Sequence, residues 1–189
     1  MAHNNFISLS NHFLVATPAI DDPFFGGSVV YLCDHTEKGA MGVVINKPSP
    51  IRMEQLFQAV EKPTPERFAE KWVLLGGPVQ TDRGFLVHTP VGNWENSILI
   101  SDQIAMTTSR DILIDGLSKE NNSIKTIATI GCSGWTAGQL EEELNQNHWL
   151  ITPQDNKILF DLPYYCRYEA ALRQLKIRVE QISSSIGHA

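Results

Sequence analysis

Val29-Val30-Tyr31-Leu32-Cys33 is the stretch that decides the fold. It stands between Gly26-Gly27 and Asp34, the punctuation that bounds a strand. Successive strand side chains point to opposite faces, so a strand with one wet face alternates apolar and polar residues. A run without alternation is expected where both faces are covered. The same reading extends outward to Phe13-Leu14-Val15, Val43-Val44-Ile45, Trp72 to Leu75, Phe85-Leu86-Val87 and Ile98-Leu99-Ile100. It also takes in Ile127 to Ile130, Trp149-Leu150-Ile151 and Ile158-Leu159-Phe160.

Helical spacing occupies the intervals. Met53, Leu56, Phe57 and Val60 form one apolar stripe, and Ser109 is placed to cap a helix carrying Leu113 and Leu117. Thr136-Ala-Gly-Gln139 has the spacing of a capping box, followed by Leu140 and Leu144 on one face and Glu141, Glu142 and Glu143 around the rest. Pro163 is read as the start of a helix with Tyr168, Ala171, Leu172 and Leu175 on its stripe. Strands outnumber helices and do not alternate with them one for one, which favours α+β over a doubly wound sheet. With no internal repeat and no linker beyond the Pro63-Thr-Pro65 loop, one domain is expected over residues 1–182, with 183–189 as a flexible tail.

The totals restrict function. The 189 residues are 42% apolar and 19% charged, and 15 Lys plus Arg against 21 Asp plus Glu leave a net charge of -6. Duplex DNA binders neutralise phosphates with a basic footprint, so direct nucleic-acid binding is disfavoured. Cys33, Cys132 and Cys166 are far apart and make no C-x-x-C, so neither a disulfide framework nor a zinc site is expected. No Lys or Arg precedes Lys38 and no run spans a bilayer, so the expectation is a cytoplasmic protein without membrane association.

Ordered blocks along the chain resemble the YqgE/AlgH family of bacterial proteins. They include Phe13-Leu-Val-Ala-Thr-Pro18, Asp22-Pro-Phe-Phe25, Gly39-Ala-Met-Gly-Val-Val-Ile-Asn-Lys-Pro48, Gly76-Gly-Pro-Val79 and Asp82-Arg-Gly-Phe85. Thr108-Ser-Arg-Asp111, Gly134-Trp135, Gly138-Gln-Leu-Glu141 and Asn147-His-Trp-Leu150 continue the match. The resemblance implies an α+β domain whose mixed, bifurcated sheet curls into a pseudo-barrel, here with about four flanking helices. It brings no biochemical activity with it; the family is named partly for a proposed role in regulating transcription of alginate genes.

Candidate sites are few. Gly131-Cys-Ser-Gly-Trp135 reads as a strand-to-helix turn that could expose Ser133, but a nucleophile elbow needs Gly-x-Ser-x-Gly and Trp135 fills the last position. The family pattern there is Gly-Tyr-Ala-Gly-Trp, so Cys132 and Ser133 depart from it. Trp135 is expected to pack, and Cys132 to be inert unless it is exposed beside a cation. His3, His12, His35, His88, His148 and His188 form no H-x-H or H-x-x-x-H pair, so no metal is expected, and a structural hydrogen bond is expected of His35. Gly76-Gly77 is followed by Pro78, which lacks an N–H, so these glycines are read as a turn requiring positive φ, not a phosphate cradle. What remains is a polar group, Asn46, Lys47, Asp82, Arg83, Ser109, Arg110 and Asp111, the first candidate for a binding face. Ion pairs of its arginines with Asp82, Asp102 or Asp111 are the structural alternative. The resulting reading is a non-enzymatic regulatory or binding module acting through a protein partner, with no cofactor. The alternatives are a hydrolase-like enzyme using the Gly131–Trp135 turn and a direct nucleic-acid binder.

Overall fold

The computed structural model describes residues 6–120 and 122–184. In chain order the elements are β1 (His12–Ala16), β2 (Val29–Thr36), β3 (Gly39–Val44), β4 (Pro48–Arg52), α1 (Met53–Ala59), β5 (Trp72–Leu75) and β6 (Val79–Thr89). They continue as β7 (Ser97–Leu99), β8 (Ala105–Thr107), β9 (Lys125–Thr136), α2 (Gln139–Asn145), β10 (Trp149–Pro153), α3 (Arg167–Gln174) and α4 (Val179–Ser184). The strands lie in the order β10-β1-β2-β3-β9-β6-β8-β7, with β4 and β5 branching off this path.

Strand β9 causes the branching. One of its edges pairs antiparallel with β6, from Thr89↔Lys125 to Val79↔Cys132. The other edge is divided: Thr129 and Ile130 pair parallel with Leu74 and Leu75, whereas Ser133 to Thr136 pair antiparallel with Gly42 to Gly39. The sheet is therefore mixed, forks at β9, and curls into a half-barrel flanked by helices in an α+β arrangement.

The fork requires glycine. A Cβ on Gly76 would lie 2.3 Å from the Gly131 carbonyl oxygen, and one on Gly77 2.1 Å from that of Cys132. Gly131 has φ +73°, and a Cβ there would meet the Gly77 carbonyl oxygen at 2.4 Å. Only a backbone without side chains brings these strands so close. At Gly76 the cause is thus close approach, not the positive φ expected from the sequence.

Both faces of the sheet are covered along β1, β2 and β3, as their unbroken apolar runs predict, but Ile98 and Leu99 of the equally apolar β7 are exposed. Phe13, Val15, Tyr31 and Cys33 face one core together with Ala171 and Leu172 of α3. Leu14, Ala16, Val30 and Leu32 face another with Leu140 of α2, Trp135 and Trp149. Beyond the fork, Leu86 and Ala128 turn toward Met53 and Phe57 of α1 and toward Ile112, Leu113 and Leu117. The three clusters are layers on a shared set of strands. Within the second, Glu143 is not the solvent-facing residue that helical spacing suggests. Its Oε2 accepts hydrogen bonds from the indoles of Trp135 at 2.9 Å and Trp149 at 2.8 Å, while Oε1 accepts one from Gln139 Nε2 at 2.9 Å.

Several expectations need correction. Ile158-Leu159-Phe160 is buried, but it winds as a wide helical turn over Lys157–Asp161, in which the Leu162 N–H reaches the Lys157 carbonyl at 2.8 Å. Ile112–Leu117 forms a similar turn, capped by the Asp111 side chain and not by Ser109. Gly131–Trp135 is no strand-to-helix turn: β9 runs on to Thr136, and α2 begins only after Gly138 at φ +78°. Half of the expected box survives, because the Gln139 Oε1 accepts the Thr136 N–H at 3.0 Å. The helix expected from Pro163 is preceded by a short turn at Tyr164–Cys166, so α3 starts at Arg167. Of the expected tail, residues 183 and 184 belong to α4, and 185–189 lie outside the described residues, as do His3 and His188.

Candidate functional site

The register of β6 against β9 shapes the candidate face. Val79 is opposite Cys132 and Gly84 is opposite Ile130, so residues 80–83 bulge out against the single residue Gly131. A bulge of this kind re-aims the side chains it carries. Here it brings Asp82 and Arg83 to the rim of a cavity of about 290 Å³ whose other wall holds Thr108, Ser109 and Arg110. Leu56, Val60, Val73, Leu86 and Leu113 make its floor apolar.

Arg83 is held loosely. Nη1 donates to Gln80 Oε1 at 3.4 Å and Nη2 to Thr108 Oγ1 at 3.3 Å, and the guanidinium lies 5.9 Å from the Phe85 ring centroid. Arg110 is exposed. The ion pairs among the described residues are His35–Glu141, Arg52–Glu70, Lys125–Asp161 and Arg173–Glu169. The expected neutralisation of Arg83 and Arg110 by Asp82, Asp102 or Asp111 is therefore not what the structure shows.

The remaining members of the predicted group lie elsewhere. Asn46 fastens the loop before β2, accepting the Val29 N–H at 2.9 Å and donating to the Gly27 carbonyl at 2.8 Å. Lys47 Nζ donates to the carbonyls of Phe24 and Gly26 and sits 5.1 Å from the Phe24 ring centroid. Asp111 accepts the N–H groups of Glu95 at 3.0 Å and Ile112 at 2.9 Å. Burial pulls the Asp111 pKa up, but these N–H groups and the Ser109 hydroxyl outweigh it and hold the carboxyl below its ordinary value. Four of the seven residues thus converge on one cavity, and Asn46, Lys47 and Asp111 secure backbone instead.

The nucleophile readings end inside the protein. Ser133 is 0% exposed and donates to the Gly76 carbonyl at 3.0 Å, so its hydroxyl helps close the fork and meets no histidine. Cys132 is buried, and burial raises its thiol pKa despite Arg83, the opposite of what a reactive thiolate needs. His35 Nδ1 accepts the Leu9 N–H at 2.9 Å and its Nε2 meets Glu141 Oε1 at 2.8 Å, a structural role. A contact missed by sequence reasoning joins His88 Nε2 to Thr107 Oγ1 at 2.7 Å, with His88 Nδ1 donating to the Pro90 carbonyl at 3.0 Å. Burial keeps the His88 pKa below its ordinary value, and Thr107 is itself fully buried, so this hydroxyl–imidazole pair packs and does not face a substrate. The residues lie on different strands with no motif between them, so only the β6–β8 register could have revealed the pair.

The family described as AlgH-like matches residues 13–180. A UPF0301 protein of Neisseria meningitidis serogroup B is 51% identical over 97% of this chain and 100% of its own length. One from Chromobacterium violaceum is 47% identical over 97% of this chain and 98% of its own. The solution structure of the AlgH protein from Pseudomonas aeruginosa superimposes with a TM-score of 0.77 at 38% identity, covering 100% of both chains. A crystal structure of a Corynebacterium diphtheriae protein, at 17% identity and a TM-score of 0.67 over 92% of this chain and 90% of that one, shares the fold. No helix among the described residues is long and apolar enough to cross a membrane.

Proposed function

The chain belongs to the AlgH-like family, and from that premise we propose that it works by binding, as a regulatory module that engages a protein partner through the Arg83–Arg110 cavity. The observation that carries this reading is a pair of arginines, neither ion-paired among the described residues, at the mouth of an apolar-floored cavity. Asp82 leaves the rim with two cations against one carboxylate. Arginine is enriched at interface hot spots because its planar fork holds a carboxylate at two points. The partner chemistry that fits is an acidic side chain between the two guanidinium groups, with a neighbouring apolar side chain on the floor. A regulatory output, including any effect on transcription, passes through that partner. The net charge of -6 favours a protein over a nucleic acid as the direct ligand. Free cysteines suit action in the reducing cytoplasm.

The test is site-specific photo-crosslinking from position 109 in cells of the source organism, with the captured peptides identified by mass spectrometry. A partner peptide carrying Asp or Glu beside an apolar residue, lost in Arg83→Glu/Arg110→Glu while the circular dichroism spectrum is unchanged, supports the reading. Capture that is indifferent to the charge reversal, or no capture above a probe placed on α2, overturns it.

A further inference from the structure

A second cavity, of about 370 Å³, opens where the start of β5 meets the segment leading into α3. It shares only Ala128 with the Arg83–Arg110 cavity. Arg167 lines it while being 6% exposed. Its Nε donates to the Leu162 carbonyl at 3.2 Å and its Nη1 to the Ile45 carbonyl, but no described acceptor meets Nη2. Lys71 stands on the same wall without an ion pair among the described residues. The two lining carboxylates are already engaged, Glu70 by Arg52 at 3.2 Å and Asp161 by Lys125 at 2.7 Å. The guanidinium is thus held by neutral carbonyls, with Nη2 open to the cavity and no counter-ion, an unfavourable arrangement for a largely buried charge.

The surroundings add to the case. Burial draws the Arg167 pKa down to about 10, and that of Lys71 falls through burial and then through Arg167, with Asp161 opposing but outweighed. An adjoining depression of about 300 Å³ shares Lys71 and is lined by Arg67, whose Nε is a buried polar atom with no partner. Among the apolar lining are five rings, Phe68, Trp72, Phe160, Tyr164 and Tyr165, the last 73% exposed. Arg52 stacks on Trp72 with its guanidinium 4.1 Å from the ring centroid.

We infer that this cavity binds a small organic anion: a carboxylate or phosphate group, met by Arg167 Nη2 and Lys71 Nζ, on a flat aromatic body that lies among the rings. The volume suits a ligand of one or two rings, at the small end of the roughly 300–1,000 Å³ range of ligand pockets. An oxyanion supplies the acceptor that Arg167 lacks and neutralises both cations, in charge-assisted hydrogen bonds stronger than neutral ones. This site is separate from the partner-docking cavity, and either can fail without the other.

The experiment is a titration of the isotope-labelled full chain with phenyl phosphate, benzoate, inorganic phosphate and benzyl alcohol at low salt, followed by amide and indole N–H shifts. Saturable shifts at Lys71, at Trp72 including its indole, and at Tyr164–Arg167 are expected with phenyl phosphate or benzoate; the tighter of the two identifies the head group. Inorganic phosphate is expected to bind more weakly and benzyl alcohol not measurably. Lys71→Gln weakens the tighter ligand by roughly tenfold, the equivalent of one charge-assisted hydrogen bond, and Arg83→Gln leaves it unchanged. Arg167 ties two backbone segments together, so Lys71 is the informative variant, with a dispersed spectrum as the control for folding. Equal binding of benzyl alcohol, equal binding of inorganic phosphate, an unchanged affinity in Lys71→Gln, or shifts confined to other surfaces overturns the inference.

Discussion

Replacing Glu143 tests whether a single carboxylate holds the second core closed. Both indole N–H groups that it accepts belong to side chains more than nine-tenths buried, Trp135 at 7% and Trp149 at 4% exposure. Glu143→Ala leaves two donors without a partner, and an orphaned buried donor costs about 1–3 kcal/mol. Glu143 itself is only half-buried, so water reaches part of the gap. The expected loss is therefore about 2–4 kcal/mol, from the lower half of the summed range. Glu143→Gln should lose about 1 kcal/mol, because an amide oxygen placed where Oε2 lies still accepts both indoles, while its NH2 group gives up only the part-buried bond from Gln139. Urea denaturation followed by far-ultraviolet circular dichroism measures both variants, and the red shift of tryptophan emission locates the damage at the indoles. Should Glu143→Ala unfold with wild-type stability, or should the glutamine variant fall as far as the alanine variant, the carboxylate is a surface residue and the reasoning fails.

Two further outcomes follow from burial and from hydrogen bonding. Cys33 and Cys132 are buried with thiol pKa values raised first by burial, while Cys166 is half-exposed. Native protein should therefore yield one fast thiol with an aromatic disulfide reagent, mapped to Cys166, and the other two only on denaturation. Asp111 has a depressed pKa when folded, so its contribution is present above the unfolded carboxylate value and disappears as pH falls through the folded one. Asp111→Asn should lower the melting temperature at neutral pH and flatten its decline below about pH 4; parallel melting-temperature profiles for the two proteins would refute this.

Much of the sheet was legible because its strands are covered on both sides. Phe13 to Val15 and Val29 to Cys33 send alternate residues to two cores, so the sequence shows unbroken apolar runs there. Ile158-Leu159-Phe160 is equally buried, and three apolar residues cannot distinguish a strand from a helical turn. Strand β4 was hidden by Pro48 and Pro50, which suit only an irregular edge, and β8 by its three-residue length. The glycines around Gly131 read as a turn because the need for them comes from Gly76 and Gly77, distant in sequence. In the candidate face, Arg83 and Arg110 were found as arginines in polar loops. Asn46, Lys47 and Asp111 carry the same local signal while bonding to backbone. Lys71 and Arg167 gave no signal at all, since each is a lone cation until the chain folds.

The forked strand also governs how this chain can be made. Strand β9 ends at residue 136 of 189, and until it emerges the edges of β3, β5 and β6 that it covers have no partner. A nascent chain carrying those open edges can pair with its neighbours, and contacts this distant in sequence close slowly. Synthesis therefore passes through a vulnerable interval that ends only when one late segment docks on three earlier ones, and a ribosome stalled before residue 125 would present a sticky, half-built sheet.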